Sequence, residues 1–165
     1  MESAPDLPVL TLPFEETMRL ISTGLKVRGT TPILKSALLI DSPDDVKAEL
    51  LAIVNEEFEM MASPSRVLPV IEKCAVDFPE LDGFYFGRRL RRHIELFVEY
   101  VMLRTKGGFF FDFSDATVTA QIVAEVVAWS GWKRLEGHDA KQFDDAACRS
   151  VIVKYVCHAL IGSMP

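Results

Sequence analysis

The side chains that most often carry chemistry are thinly spread along this chain. Its three histidines, His93, His138 and His158, show no His-x-x-x-His or Glu-x-x-His spacing, so no helix face presents a ready metal ligand set. The three cysteines, Cys74, Cys148 and Cys157, are odd in number and unlike a metal cluster in spacing; they read as reduced, mostly buried thiols. Carboxylates gather at Asp41–Asp45, Asp112–Asp115 and Asp144-Asp145, as a metal or diphosphate site would require. Each cluster, however, stands where a helix is expected to begin, and there a carboxylate caps free N–H groups at the positive end of the dipole. No glycine-rich phosphate loop and no Gly-x-Ser-x-Gly elbow occurs. The expectation is a protein that is not an enzyme, with no catalytic residue, metal or cofactor.

Two further patterns bear on binding. The run Arg88-Arg89-Leu90-Arg91-Arg92-His93 is basic enough to suggest nucleic acid. Arg88 and Arg92 are four apart and Arg91 pairs with Glu95 at the same spacing, which is how a solvated helix face is written. A net charge of −6 and a pI near 5.1 also argue against a phosphate-binding surface. The second pattern is aromatic density. Phe58, Phe84, Phe97, Tyr100 and Trp129 are candidates to line an apolar pocket between helices, with Tyr100, Glu99 or His93 as its polar handle. Ordinary core packing is the competing reading for each.

The elements that position these residues follow from periodicity. The 165 residues suit one domain, and 49% hydrophobic with 25% charged residues is a globular composition. Residues 1–13, with Pro5, Pro8 and Pro13, form an extended lead-in, and 14–165 the domain. The segment MESAPDLPVL has no basic start or long apolar run, so it is no secretory signal. The most apolar segments, Val118–Trp132 and Val151–Ile161, are too short to span a bilayer, so a cytoplasmic chain without membrane contact is expected.

A first helix is expected over 14–28, and a short apolar run at Ile33–Ile40 suits helix or strand, with helical surroundings favouring helix. Ser42 is expected to cap the next helix with Pro43 in its first turn, burying Val46, Leu50, Ile53, Val54, Phe58 and Met61. The stretch 66–108 reads as a helix, a break at Phe78-Pro79, and a long helix closed by Gly107-Gly108 that braces the domain. Ser114 caps a helix to about Lys133, and Asp144-Asp145 open the last one, to about Ile161. The fold class is therefore all-α, one domain of about seven helices.

The last two helices are apolar nearly all round, so each must be buried on all sides, within a core or against a partner. In a chain of this size a partner is favoured. An antiparallel pair facing its symmetry mate makes a four-helix bundle, with Val118, Ile122, Val126, Val151, Tyr155 and Ala159 at a homodimer interface.

Three segments carry a resemblance. VIEKCAVDFPELDGFYF, the turn KGGFFFDFS before an Ala- and Val-rich helix, and WKRLEGHDAKQFDDAACRSVIVKYVCHALIG occur in an order that resembles the C-terminal regulatory domain of TetR-family transcriptional repressors. The likeness covers about 100 of the 165 residues. It implies the same homodimer interface and a pocket for a small hydrophobic or amphipathic effector. The three-helix DNA reader with which that family begins has no counterpart here. MESAPDLPVL reads like the linker that follows such a domain, so DNA contact is implied only through a helix-turn-helix domain not present in this chain. The alternatives are a standalone helical dimer that binds a protein or small molecule, and a small helical enzyme.

Overall fold

The computed structural model describes residues 31–62, 91–131, 133–136 and 143–162, together with Pro13, Glu15, Glu16, Met18, Arg19, Lys73, Val76 and Gly83. Five α-helices and no strand occur among them: α1 (Pro32–Ala37), α2 (Val46–Ala62), α3 (Arg91–Lys106), α4 (Ala116–Gly131) and α5 (Asp145–Ile161), with a 3₁₀ turn at Lys133–Glu136. The all-α class is as expected; the count among the described residues is lower than seven. Of the first helix expected over 14–28, Glu15, Glu16, Met18 and Arg19 are described and helical; the rest of it, the break at Phe78-Pro79 and most of the stretch 66–90 lie outside the described residues. None of the described helices is long and apolar enough to cross a membrane.

The helix starts carry one consistent correction. Asp45, not Ser42, accepts from the Ala48 N–H at 2.9 Å and opens α2. Asp115, not Ser114, accepts from Thr117 and Val118 at 2.9 and 3.0 Å and opens α4. Ser114 instead sits one residue earlier in a left-handed conformation, φ 68°. Asp144 accepts from Ala147 at 3.0 Å and opens α5. A carboxylate outbids the neighbouring hydroxyl because it brings the same geometry plus a charge that the helix dipole favours. All three acidic clusters therefore supply a helix cap.

Packing centres on α4 rather than on the stretch that precedes it. α4 packs against α2, α3 and α5, while α1 lies across α2 and α3. Small buried side chains permit this: Ala120, Val123, Val127, Ala128, Ser130 and Gly131. At Gly131 a Cβ would come within 2.9 Å of the Met61 Cβ, so only glycine lets the ends of α4 and α2 approach so closely. The core joins Leu34, Leu50, Ile53, Val54, Phe97, Val127, Val156 and Leu160, each worth about 1.5–3 kcal/mol in removed apolar surface. Cys157 is in this core and burial pushes its thiol pKa up, as expected of an inert thiol. Cys148 is half-buried, and Cys74 lies outside the described residues.

One charged side chain lies deeper than the sequence suggested. Arg104 on α3 is completely buried. Its Nε and Nη2 donate to the two oxygens of Glu49 at 2.7 and 2.8 Å, a bidentate pair. Nη2 also reaches the Ala37 carbonyl at 2.9 Å and Nη1 the Ile40 carbonyl at 2.8 Å. Those carbonyls lie at and beyond the end of α1, a position that favours a cation. The start of α1 is held from α2: Glu56 accepts from the Ile33 and Leu34 N–H groups at 2.9 and 3.1 Å, standing in for Thr31, whose side chain makes no cap bond. Six residues do not hold a helix alone in water; α1 is thus fastened at both ends by charges from other helices. The run Ile33–Ile40 accordingly begins as helix and turns at Leu38-Leu39.

Tyr100 completes the cluster. Its hydroxyl donates to Glu49 Oε1 at 2.9 Å, the Arg104 guanidinium sits 5.2 Å from its ring centre, and Phe110 meets that ring edge-on at 5.5 Å. Burial, then the charge and hydrogen bond of Glu49, push the Tyr100 pKa far above its ordinary value, against a smaller opposing pull from Arg104. For Arg104, burial alone acts downward, but the hydrogen bond and charge of Glu49 outweigh it and the net direction is up.

Two outcomes follow. Arg104→Met leaves Glu49 facing the core with the Tyr100 hydroxyl but no cation and frees the end of α1; thermal or urea unfolding should show a loss of about 3–5 kcal/mol. A loss below about 1 kcal/mol would mean the pair is dispensable. A raised tyrosine pKa contributes stability that is complete below the ordinary value near 10 and is lost as pH rises through the folded value. In alkali, the phenolate absorbance of the native protein should therefore match that of Tyr100→Phe, and the two should differ by one tyrosine only after unfolding. A native-state difference would show that Tyr100 ionises in place.

Candidate ligand recess and apolar face

Glu49 meets Arg104 near one end of the α2–α3 pair and Glu57 meets His93 near the other, so the two helices run antiparallel. Between them, over α4, lies a recess. Val54, Glu57 and Met61 face it from α2, His93 and Phe97 from α3, and Val123, Ala124 and Val127 from α4. The space in it that a water-sized sphere can reach is about 10 Å³, one water's worth. The side chains are apolar except for one pair. His93 Nε2 lies 2.6 Å from Glu57 Oε2, and Glu57 is 7% exposed. The other carboxylate oxygen, Oε1, is buried and has no hydrogen-bond partner among the described residues. Such a group costs about 1–3 kcal/mol, more when charged, and calls for an explanation.

The aromatic residues expected to line one pocket are dispersed. Phe97 lines the recess. Phe58 and Tyr100 are buried in the adjoining core, Phe58 beneath the Arg149 guanidinium at 5.8 Å and Tyr100 bound to Glu49. Trp129 is 50% exposed, 6.3 Å from the Phe143 ring. Phe84 lies outside the described residues. Of the three polar handles, Tyr100 is committed to Glu49 and Glu99 is exposed beside Arg92, whereas His93 does reach the recess. Glu57 was not anticipated, although it sits at helical spacing within the stripe Leu50, Ile53, Val54, Phe58 and Met61. The ion pairing of the basic run also differs: Arg92 bonds Glu95 at 3.3 Å, while Arg91 lines an open groove between α3 and α4 with Glu95, Glu99 and Gln121. The polar groups of that groove are exposed, so nothing in it is pre-set for recognition.

The two apolar sides of α4 separate cleanly. Ala120, Val123 and Val127 are buried, whereas Val118 and Ile122 are 53% and 55% exposed and Val126 is half-buried. On α5, Ile152, Val156 and Leu160 are buried, while Val151 and Tyr155 are 67% and 58% exposed and Ala159 is half-buried. α4 and α5 pack together. The junction before α5 is pinned by the buried Arg134, which donates to the Ser130 and Phe143 carbonyls at 2.7 and 2.9 Å and to the Asp145 carboxylate. Arg149 on α5 donates to Asn55 and Glu59 of α2 at 2.6 and 2.7 Å, fixing the other flank.

No family model, no curated protein and no solved structure matches this chain. The recess and the face are therefore read from their own geometry.

Burial sets the energetics of the Glu57–His93 pair. His93→Ala strips Glu57 of its one partner and should cost about 1–3 kcal/mol in chemical unfolding. The double variant Glu57→Leu, His93→Leu removes both polar groups and should be as stable as the wild type or more so, by up to about 4 kcal/mol. A double variant clearly less stable than His93→Ala alone would mark the pair as a structural support instead.

Proposed function

We propose that this chain is the ligand-sensing, homodimerising domain of a TetR-like transcriptional regulator, binding a small apolar or amphipathic effector between its helices. The observation that supports it most is the exposed apolar face of α4 and α5: Val118, Ile122, Trp129, Val151 and Tyr155 are each at least half exposed. Monomers rarely leave large aliphatic and aromatic side chains so open on two packed helices. A second copy laid on that face buries it twice over and completes a four-helix bundle about a two-fold axis. Val126 and Ala159 lie at its inner border. The recess over α4 supplies the effector site, with Phe97 in its wall. The effector acts by favouring one disposition of the helices, and the dimer carries that change to DNA through a helix-turn-helix reader.

Light scattering on the wild type and on Ile122→Glu, Val151→Glu tests this. Both positions are more than half exposed, so folding should be spared. The wild type should show twice the 18.5 kDa chain mass, and the variant one chain with unchanged helical signal. A wild-type monomer at micromolar concentration would end the dimeric reading.

A further inference from the structure

We propose that Glu57 Oε1 is the anchor for the ligand's polar group, and that the ligand is a compact apolar molecule bearing an ammonium or comparable N–H donor. This rests on the recess being the effector site and specifies what it takes. The carboxylate is the polar group in the recess with capacity left over. His93 already spends its Nε2 on Oε2, at 2.6 Å. Tyr100 is bound to Glu49, and Glu99 is out in solvent. An ionised carboxylate only accepts, so the ligand must donate.

Charge points the same way. Beside the Glu57–His93 pair the recess is lined by Val54, Phe97, Val123 and Val127, none of which can solvate a second anion. A carboxylate or phosphate ligand would meet Glu57 in a poorly solvated space, where like charges repel far more than in water. A cation meets an acceptor that is already desolvated, and the bond is charge-assisted. Size agrees. An ammonium group is close to water in volume, matching the reachable space of about 10 Å³, so the recess takes the head and any apolar tail lies outside it.

The test is calorimetric titration of the full chain with hexylammonium, hexanoate and 1-hexanol, three probes of one tail and different heads. Hexylammonium should bind most tightly, and Glu57→Gln, which keeps the side chain's shape, should weaken it by about tenfold or more while leaving 1-hexanol little changed. Should Glu57→Gln not fold, Ala124→Leu fills the recess without touching the carboxylate and should abolish hexylammonium binding. If hexanoate or 1-hexanol binds as well as hexylammonium, and Glu57→Gln is without effect, the anchor is refuted and the effector recess survives. If no probe binds at millimolar concentration, the anchor and the recess both fall.

Discussion

A guanidinium with no access to water has to find its partners inside the fold, and Arg104 finds them on two helices and the turn that joins them. Glu49 on α2 takes two of its N–H groups; the Ala37 and Ile40 carbonyls take others. Taking both charges of such a pair out of water offsets most of their attraction, so the pair adds little net stability compared with a well-packed apolar substitute. What it fixes is geometry. A bidentate bond tolerates neither a slide nor a rotation of α2 against α3, because either strands a buried charge. α1, six residues long, depends on the packing of Leu34 and Ala37 and on these bonds to remain helical, and its place follows from where Glu56 and Arg104 leave its two ends.

The recess is a consequence of that register. From Glu49 to Glu57 α2 advances about 12 Å, and from Arg104 back to His93 α3 covers about 16 Å, at about 1.5 Å per residue. The antiparallel pairing at one end therefore brings Glu57 within reach of His93 at the other. Both helices rest on α4, whose alanines and valines set a shallow floor. Large side chains at Val123, Ala124 or Val127 would fill the recess; small ones leave it open. The polar pair inside it is thus held by an ion pair several turns away, which keeps Oε1 buried although nothing among the described residues satisfies it.

Periodicity made the all-α class legible, and with it the buried residues of α2 and the limits of α5. What it could not place were charges written into apolar stripes. Arg104 follows Phe97, Tyr100 and Val101 at helical spacing, and Glu57 sits among Val54, Phe58 and Met61; each occupies a core position by phase. Taking charge as a mark of exposure overlooks that a pair can be buried together when each member satisfies the other, and the partner for Arg104 lies 55 residues away. The limits of α1 were hidden for the same reason, since its caps come from α2 and α3. On α4 the sequence shows two apolar stripes of equal strength. Which one faces the core depends on the helices packed against it, information that no local window contains. The aromatic residues misled by number: density alone did not reveal that Trp129 stands on the outer face while Phe97 stands in the recess wall.

α4 carries both features on opposing phases of one helix. Val123, Ala124 and Val127 form the floor of the recess, while Val118, Ile122 and Trp129 form the exposed face. A packed helix does not deform continuously; it moves as a unit or stays. On the proposed reading, a head group entering the recess pushes on the floor, and any displacement of α4 is a displacement of the dimer face of equal size. The Arg134 bonds to the Ser130 carbonyl and to Asp145 tie the end of α4 to the start of α5, so a shift of α4 at that end carries α5 along. Ligand binding then shifts the dimer only to the extent that the two arrangements differ in affinity for the ligand. On the same proposal the Glu57 oxygen supplies such a difference: an arrangement that lets a donor reach it gains a charge-assisted bond that one excluding the donor forgoes.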